Sequence, residues 1–140
     1  MWRILMASLV AVAGLAVAAP RAKDAPKKDS PIVGEWRLLT VNGKEALPAT
    51  YKFSADGILV GSGWIGMLES GFEAKYTTDE KSDPFRIDLT NQGDPEEGIF
   101  KIEGDRLTIC YRFGRDRRPT KFGEKDAIEE VLERVKKKKD

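Results

Sequence analysis

Residues 98–113 read Gly-Ile-Phe-Lys-Ile-Glu-Gly-Asp-Arg-Leu-Thr-Ile-Cys-Tyr-Arg-Phe. Phe100 and Ile102 alternate with Lys101 and Glu103. Beyond Gly104-Asp105, Leu107, Ile109, Tyr111 and Phe113 alternate with Arg106, Thr108, Cys110 and Arg112. Period two is the spacing of strands that bury one face. The Gly-Asp pair between them predicts a tight hairpin, because glycine supplies the positive φ such turns require.

The same alternation continues upstream. Phe85, Ile87 and Leu89 are opposed by Arg86, Asp88 and Thr90; Phe72, Ala74 and Tyr76 by Glu73, Lys75 and Thr77. Tyr51 and Phe53 lead through Ala55-Asp56-Gly57 into Ile58-Leu59-Val60, and Trp36 shares a face with Leu38. Turn signals stand between the runs at Asn42-Gly43, Asp56-Gly57, Asp83-Pro84 and Gly93-Asp94-Pro95. Seven or eight short strands with no helical pattern between them predict an all-β, antiparallel sandwich or closed barrel. Two segments are ambiguous. Residues 61–71 hold four glycines around Trp64, Ile65, Met67 and Leu68, the pattern of either a bulged strand or a flap. In residues 127–136, Ile128, Val131, Leu132 and Val135 fall at helical spacing.

The ends of the chain speak to compartment. Met1-Trp2-Arg3 is a short basic leader, Ile4–Val17 is a run of 14 uncharged residues, and Ala16-Val17-Ala18 has small residues where signal peptidase needs them. The apolar run is short of the ~20 residues that span a bilayer. Residues 1–18 are therefore expected to be a signal peptide cleaved after Ala18, or after Ala19, which makes the protein exported, periplasmic or secreted. Residues 19–31, with three prolines and four basic residues, are expected to be a disordered linker. Residues 32–136 are expected to form the domain and residues 137–140 a basic tail.

Composition excludes several chemistries. Without the leader, 23 basic and 23 acidic side chains remain from the total of 24 and 23. A neutral domain is not steered as a whole toward nucleic acid or anionic lipid. With no His and one Cys, no Ser-His-Asp triad, Cys-His pair, internal disulfide or zinc site of three or four N/S ligands can form. No cofactor, metal ligand or catalytic residue is expected. Cys110 sits between Arg106 and Arg112, yet an unpaired strand cysteine is the better reading, since no partner base can be named. Arg112, Arg115, Arg117, Arg118 and Lys121 form a basic stretch, read as a solvated hairpin end. The acidic loops Asp79-Glu80-Asp83 and Asp94-Glu96-Glu97 lack calcium-site spacing.

Several of these pieces resemble a family. Gly34-Glu35-Trp36, Asn42-Gly43, the run Asp83 to Asp88, Gly98 to Cys110, Arg118 to Phe122 and Glu133 to Lys136 are similar to a group of exported, lipocalin-like domains common in planctomycetes. The resemblance covers roughly residues 32–136. It implies a small antiparallel lipocalin-like barrel of about eight strands and carries no established activity. It also implies that residues 130–135 form a closing strand, with Leu132 and Arg134 on one face and Val131, Glu133 and Val135 on the other. Trp36 would then plug one end of the barrel, with Gly34 allowing close approach and Arg134 stacked on its indole.

The expected function is non-catalytic binding of a small apolar ligand, with Trp64, Ile65, Met67, Leu68, Tyr76 and Tyr111 as cavity or flap. The alternative is a structural or interaction module with a filled barrel, contacting another exported protein. A hydrolytic enzyme is the least supported class. An interior void of roughly 300 Å³ or more separates the first two. Oligomeric state is left open.

Overall fold

The structure, a computed structural model, describes residues 30–65, 68–91, 93, 95–112 and 117–136. The expected signal peptide, the linker up to residue 29, the 137–140 tail, Met67, Phe113 and Arg115 lie outside the described residues.

Among the described residues there are nine strands: β1 Gly34–Val41, β2 Lys44–Glu45, β3 Ala49–Phe53, β4 Ile58–Ile65, β5 Leu68–Asp79, β6 Phe85–Thr90, β7 Glu96–Glu103, β8 Arg106–Tyr111 and β9 Ile128–Arg134. Every pairing is antiparallel. β2 folds back on the end of β1, and β1 pairs with both β3 and β9, so the eight longer strands close into a barrel. Closure leaves no long sheet edge exposed.

Local chemistry sets the turns. Asn42 (φ 52°) and Gly43 (φ 78°) carry β1 into β2 with both central residues left-handed, the geometry for which Asn-Gly is selected. Gly104-Asp105 joins β7 to β8 in two residues, with Glu103 opposite Arg106 and Gly104 at φ 61°.

The ambiguous segments resolve as strand. The β4–β5 register runs unbroken from Ile58–Lys75 to Ile65–Leu68. Residues 61–65 and 68–71 are thus regular arms of a long hairpin, without the bulges of the bulged-strand reading. β9 is a strand despite its helical spacing, because β1 and β8 each present an edge to it. Filling both edges satisfies backbone donors and acceptors along the whole segment, which outweighs a weak helical preference.

One end of the barrel is solid. Trp36, Phe53, Tyr76, Phe100, Leu107 and Leu132 are all buried there, with Ile32 packed beneath. Trp36 Nε1 donates to Ile32 O at 2.9 Å, and Arg134 Cζ lies 4.2 Å from the centre of the Trp36 ring. The Arg134 guanidinium also donates to Pro31 O at 2.7 Å. Gly34 takes φ 139°, a conformation that other residues rarely adopt, and a Cβ there would stand 2.9 Å from Arg134 Nη1, so the position favours glycine. Ser30 is buried, with its hydroxyl bonded to Glu80. Among the described residues, contacts with the domain thus include Ser30, which lies ahead of Ile32.

The outside of β6, β7 and β8 is covered too. Arg118 donates to Gly98 O at 2.8 Å and pairs with Asp88 Oδ1 at 2.7 Å. Pro119 beside it is buried, and Ile99 and Cys110 on the outer face are sealed from solvent. Arg112 is bonded to Glu124, which also accepts from Thr120 N at 3.0 Å. The basic stretch read as a solvated hairpin end is corrected here. Arg112 and Arg118 are structural clamps, because Arg118 lies over Asp88 on the outer face of β6 and Arg112 is bonded to Glu124.

Candidate ligand cavity

Above the solid end, the inward faces of β3 to β9 surround a cavity of about 320 Å³. Its apolar wall consists of Leu59, Phe72, Ala74, Leu89 and Ile109. Small residues create the room. β4 places Gly61 directly between Tyr51 on β3 and Phe72 on β5. The Phe72 ring takes the space above Gly61 and meets Tyr51 edge-on, with centroids 5.7 Å apart at 79°. An aromatic lying over a strand glycine shields the backbone that glycine would leave bare.

Polar groups converge on one side of the cavity. Glu130 of β9 shares the inward face with Leu132 and is 7% exposed. Tyr51 Oη donates to Glu130 Oε1 at 3.0 Å, and Tyr111 Oη donates to the same oxygen at 3.2 Å. Glu96 and Asn91 complete the polar side. Glu96 faces inward because it stands opposite Leu89 in the β6–β7 register.

Electrostatics in this space are one-sided. Burial pushes the Glu130 carboxyl above its usual range, against the pull of the two phenols, and the Glu96 charge pushes it further. Burial also raises Glu96. Burial, followed by the charge of Glu130, drives the Tyr51 and Tyr111 phenols far above neutral pH, so both remain hydrogen-bond donors. Among the described residues, those lining the cavity include two carboxyls and no basic side chain.

A second recess of about 290 Å³ adjoins the first and shares Tyr51 and Phe72 as a partition. Leu38, Val41, Leu47 and Ala49 line it, and Leu47 is 64% exposed at its rim.

Of the residues singled out in the sequence, Tyr111 lines the cavity. Tyr76 does not. It sits in the solid end, edge-on to Phe53 at 5.0 Å, with its hydroxyl given to Ser54 O. Tyr76 lies four residues beyond Phe72 on the same face, which carries it past the cavity into the closed half. Trp64 and Ile65 belong to the end of β4 and Leu68 to the start of β5. Trp36 and Arg134 are brought together at the opposite end.

Sequence reasoning missed Tyr51, Glu96 and Glu130 as site residues. Glu96 had been placed in a solvated acidic loop, and Glu130 in a Glu-rich strand of uncertain face. The available signal was parity: Glu130 lies two residues from Leu132, so whatever buries one turns the other inward. Cys110 is buried, and burial together with Glu129 and Glu124 pushes its thiol up to about 11 against the pull of Arg112. Such a thiol is inert at neutral pH.

No protein-family model matches the chain, and no curated protein matches it. The cavity is therefore interpreted from its own geometry.

Proposed function

We propose that this protein is a non-catalytic binding domain that holds one small, largely apolar molecule inside its barrel. The observation that carries the reading is the cavity of about 320 Å³, with aliphatic and aromatic walls and polar groups gathered on one side. Ligand sites combine an apolar lining with a few convergent polar groups and begin at roughly 300 Å³. A barrel serving only as a scaffold gains stability by filling that space, since voids forfeit dispersion contacts. The volume thus favours a ligand over the filled-barrel alternative. The phenols, pushed far above neutral pH, suit binding and not proton transfer. We further propose that the domain works outside the cytoplasm, as residues 1–18 suggest. Its closed eight-strand barrel supports kinship with the exported lipocalin-like domains.

Native mass spectrometry of the full chain recovered from the exported fraction of its own cells tests the reading. A reproducible non-covalent adduct that disappears in Ala74→Phe, whose ring would occupy the cavity, is the expected result. A chain that is consistently adduct-free, or an adduct indifferent to Ala74→Phe, would overturn it.

A further inference from the structure

Resting on that cavity reading, we propose that the molecule held is an amine: a short apolar body whose ammonium group sits on Glu130 Oε2, walled by the rings of Tyr51, Tyr111 and Phe72. Three independent features of the cavity point the same way.

The first is how the hydrogen bonds are distributed. Both phenols give their protons to Oε1 of Glu130. Among the described residues Oε2 has no hydrogen-bond partner, and it is not sealed off either, since the sole buried unpartnered side-chain atom among them is Arg112 Nε. A carboxylate on a residue that is 7% exposed thus keeps one oxygen open toward the cavity. Taking a carboxylate out of water costs several kcal/mol unless a counter-charge or donors compensate. Two phenols supply half of that compensation. A ligand N–H donor would supply the rest.

The second feature is charge. Glu96 faces the same space, and among the described residues no basic side chain lines it. A ligand carboxylate would be a third negative group in a confined, poorly solvated volume, so fatty acids and other organic anions are disfavoured. A neutral alcohol could donate one hydrogen bond to Oε2 but would leave both carboxyls without a counter-charge. An ammonium offers three donors and the missing positive charge together.

The third feature is the wall. Phe72, Tyr51 and Tyr111 contribute three aromatic rings to the lining, and the two phenols reach Glu130 itself. Ring faces attract cations, and the attraction strengthens where water is excluded. The aliphatic surfaces of Leu59, Ala74, Leu89 and Ile109 complete the lining and suit a hydrocarbon body.

Binding of the cation draws Glu130 into its charged form. The titratable groups that line the cavity with it are Tyr51 on β3, Glu96 on β7 and Tyr111 on β8. The phenols stay protonated throughout, which leaves the two carboxyls as the groups that respond to pH.

Isothermal titration of the full-length chain with octylamine, octanol and octanoate separates the possibilities. Octylamine is expected to bind about tenfold or more tighter than octanol at neutral pH, as befits a charge-assisted bond, and octanoate weakest of the three. Acidification should weaken octylamine and leave octanol unchanged. Glu130→Gln should erase the preference for the amine while retaining octanol within about threefold. If Glu130→Gln fails to fold, the comparison of the three compounds and its pH dependence decide the matter on the unaltered protein. Octanol or octanoate binding as tightly as octylamine would overturn the amine assignment and leave the cavity reading standing. Failure of all three to bind would remove both.

Discussion

The ring of Phe72 occupies the space that a side chain at Gly61 would need, its Cε1 lying 2.1 Å from where a Cβ would stand. That relationship links four strands, because the same ring meets Tyr51, and Tyr51 in turn holds Glu130. Gly61 is therefore a site residue without a side chain.

Gly61→Ala should expel the Phe72 ring toward solvent. The ring is already 42% exposed, so the cost should stay at about 1–2 kcal/mol, the lower range for overpacking. In a Phe72→Ala background the same change should become neutral or stabilising by roughly 0.5–1 kcal/mol, since a strand glycine gives up more chain entropy than alanine. Urea denaturation of the four proteins in the cycle measures the coupling. An identical cost in both backgrounds would refute the packing.

At the opposite end, Arg134 performs several tasks through one guanidinium: it covers Trp36, donates to Pro31 O and lies 3.9 Å from Asp105 Oδ1. The partly exposed ion pair adds little. The ring contact contributes on the order of 0.5–2 kcal/mol and the carbonyl bond about 1 kcal/mol. Arg134→Ala should therefore destabilise by about 1.5–3 kcal/mol in total. Arg134→Gln, which keeps a donor and loses the charge, should fall between. Tryptophan fluorescence should shift to the red in Arg134→Ala as the Trp36 ring is uncovered. Loss of stability no greater in Arg134→Ala than in Arg37→Ala, a change at an exposed pair with Glu133, would show that the stack contributes nothing.

On the outer face, where Cys110 is buried, Arg118 fastens the 117–120 segment to Gly98 and Asp88. Both partners of its pair with Asp88 are largely buried, at 12% and 6% side-chain exposure. Arg118→Ala removes the guanidinium from a buried carboxylate and should cost about 3–5 kcal/mol. Cys110 serves as a built-in reporter. In the unaltered protein its thiol is buried, with its pKa pushed up to about 11, so it should resist an aromatic disulfide reagent at about pH 8. In Arg118→Ala it should react at least about tenfold faster, because local opening of the covering segment becomes frequent. Equal labelling rates would mean that Arg118 does not fasten that segment.

The barrel was legible because its signal is repetitive. Phe85-Ile87-Leu89 and Leu107-Ile109-Tyr111 each place three apolar side chains on one face, and the paired registers put both sets inside. The turns were legible for the same reason, since Asn42-Gly43 and Gly104-Asp105 need left-handed backbone that few residues supply. The cavity was much harder to see. Whether Tyr76 or Tyr51 lines it depends on how far along the barrel axis each lies, which strand tilt and closure decide and alternation does not. Charged residues mislead in the same way: Glu130 and Asp88 both occupy strand positions that look solvent-facing by type, yet one faces the interior and the other lies beneath Arg118. Local pattern says which residues share a face. It does not say what covers that face.

Glu130 makes the protein's stability depend on pH in a direction opposite to that of most carboxylates. Its carboxyl is raised from 4.5, chiefly by burial and further by Glu96. The folded state therefore keeps this proton to a higher pH than the unfolded chain does. Where the folded state binds more protons, stability declines as pH rises, so the penalty from Glu130 is absent below about 4.5, grows through the window above it, and is complete once the folded carboxyl has ionised. Glu130→Gln removes the titration while keeping an oxygen that can accept from Tyr51 and Tyr111. The difference in stability between variant and unaltered protein should therefore move in favour of the variant as pH rises from about 4 to about 8. Glu96, also raised by burial, is present in both proteins and largely cancels in the comparison. Thermal or urea denaturation across that range reads the effect directly. A difference that is flat with pH, or that moves in favour of the unaltered protein at higher pH, would mean that Glu130 is compensated in the folded state by something other than the two phenols.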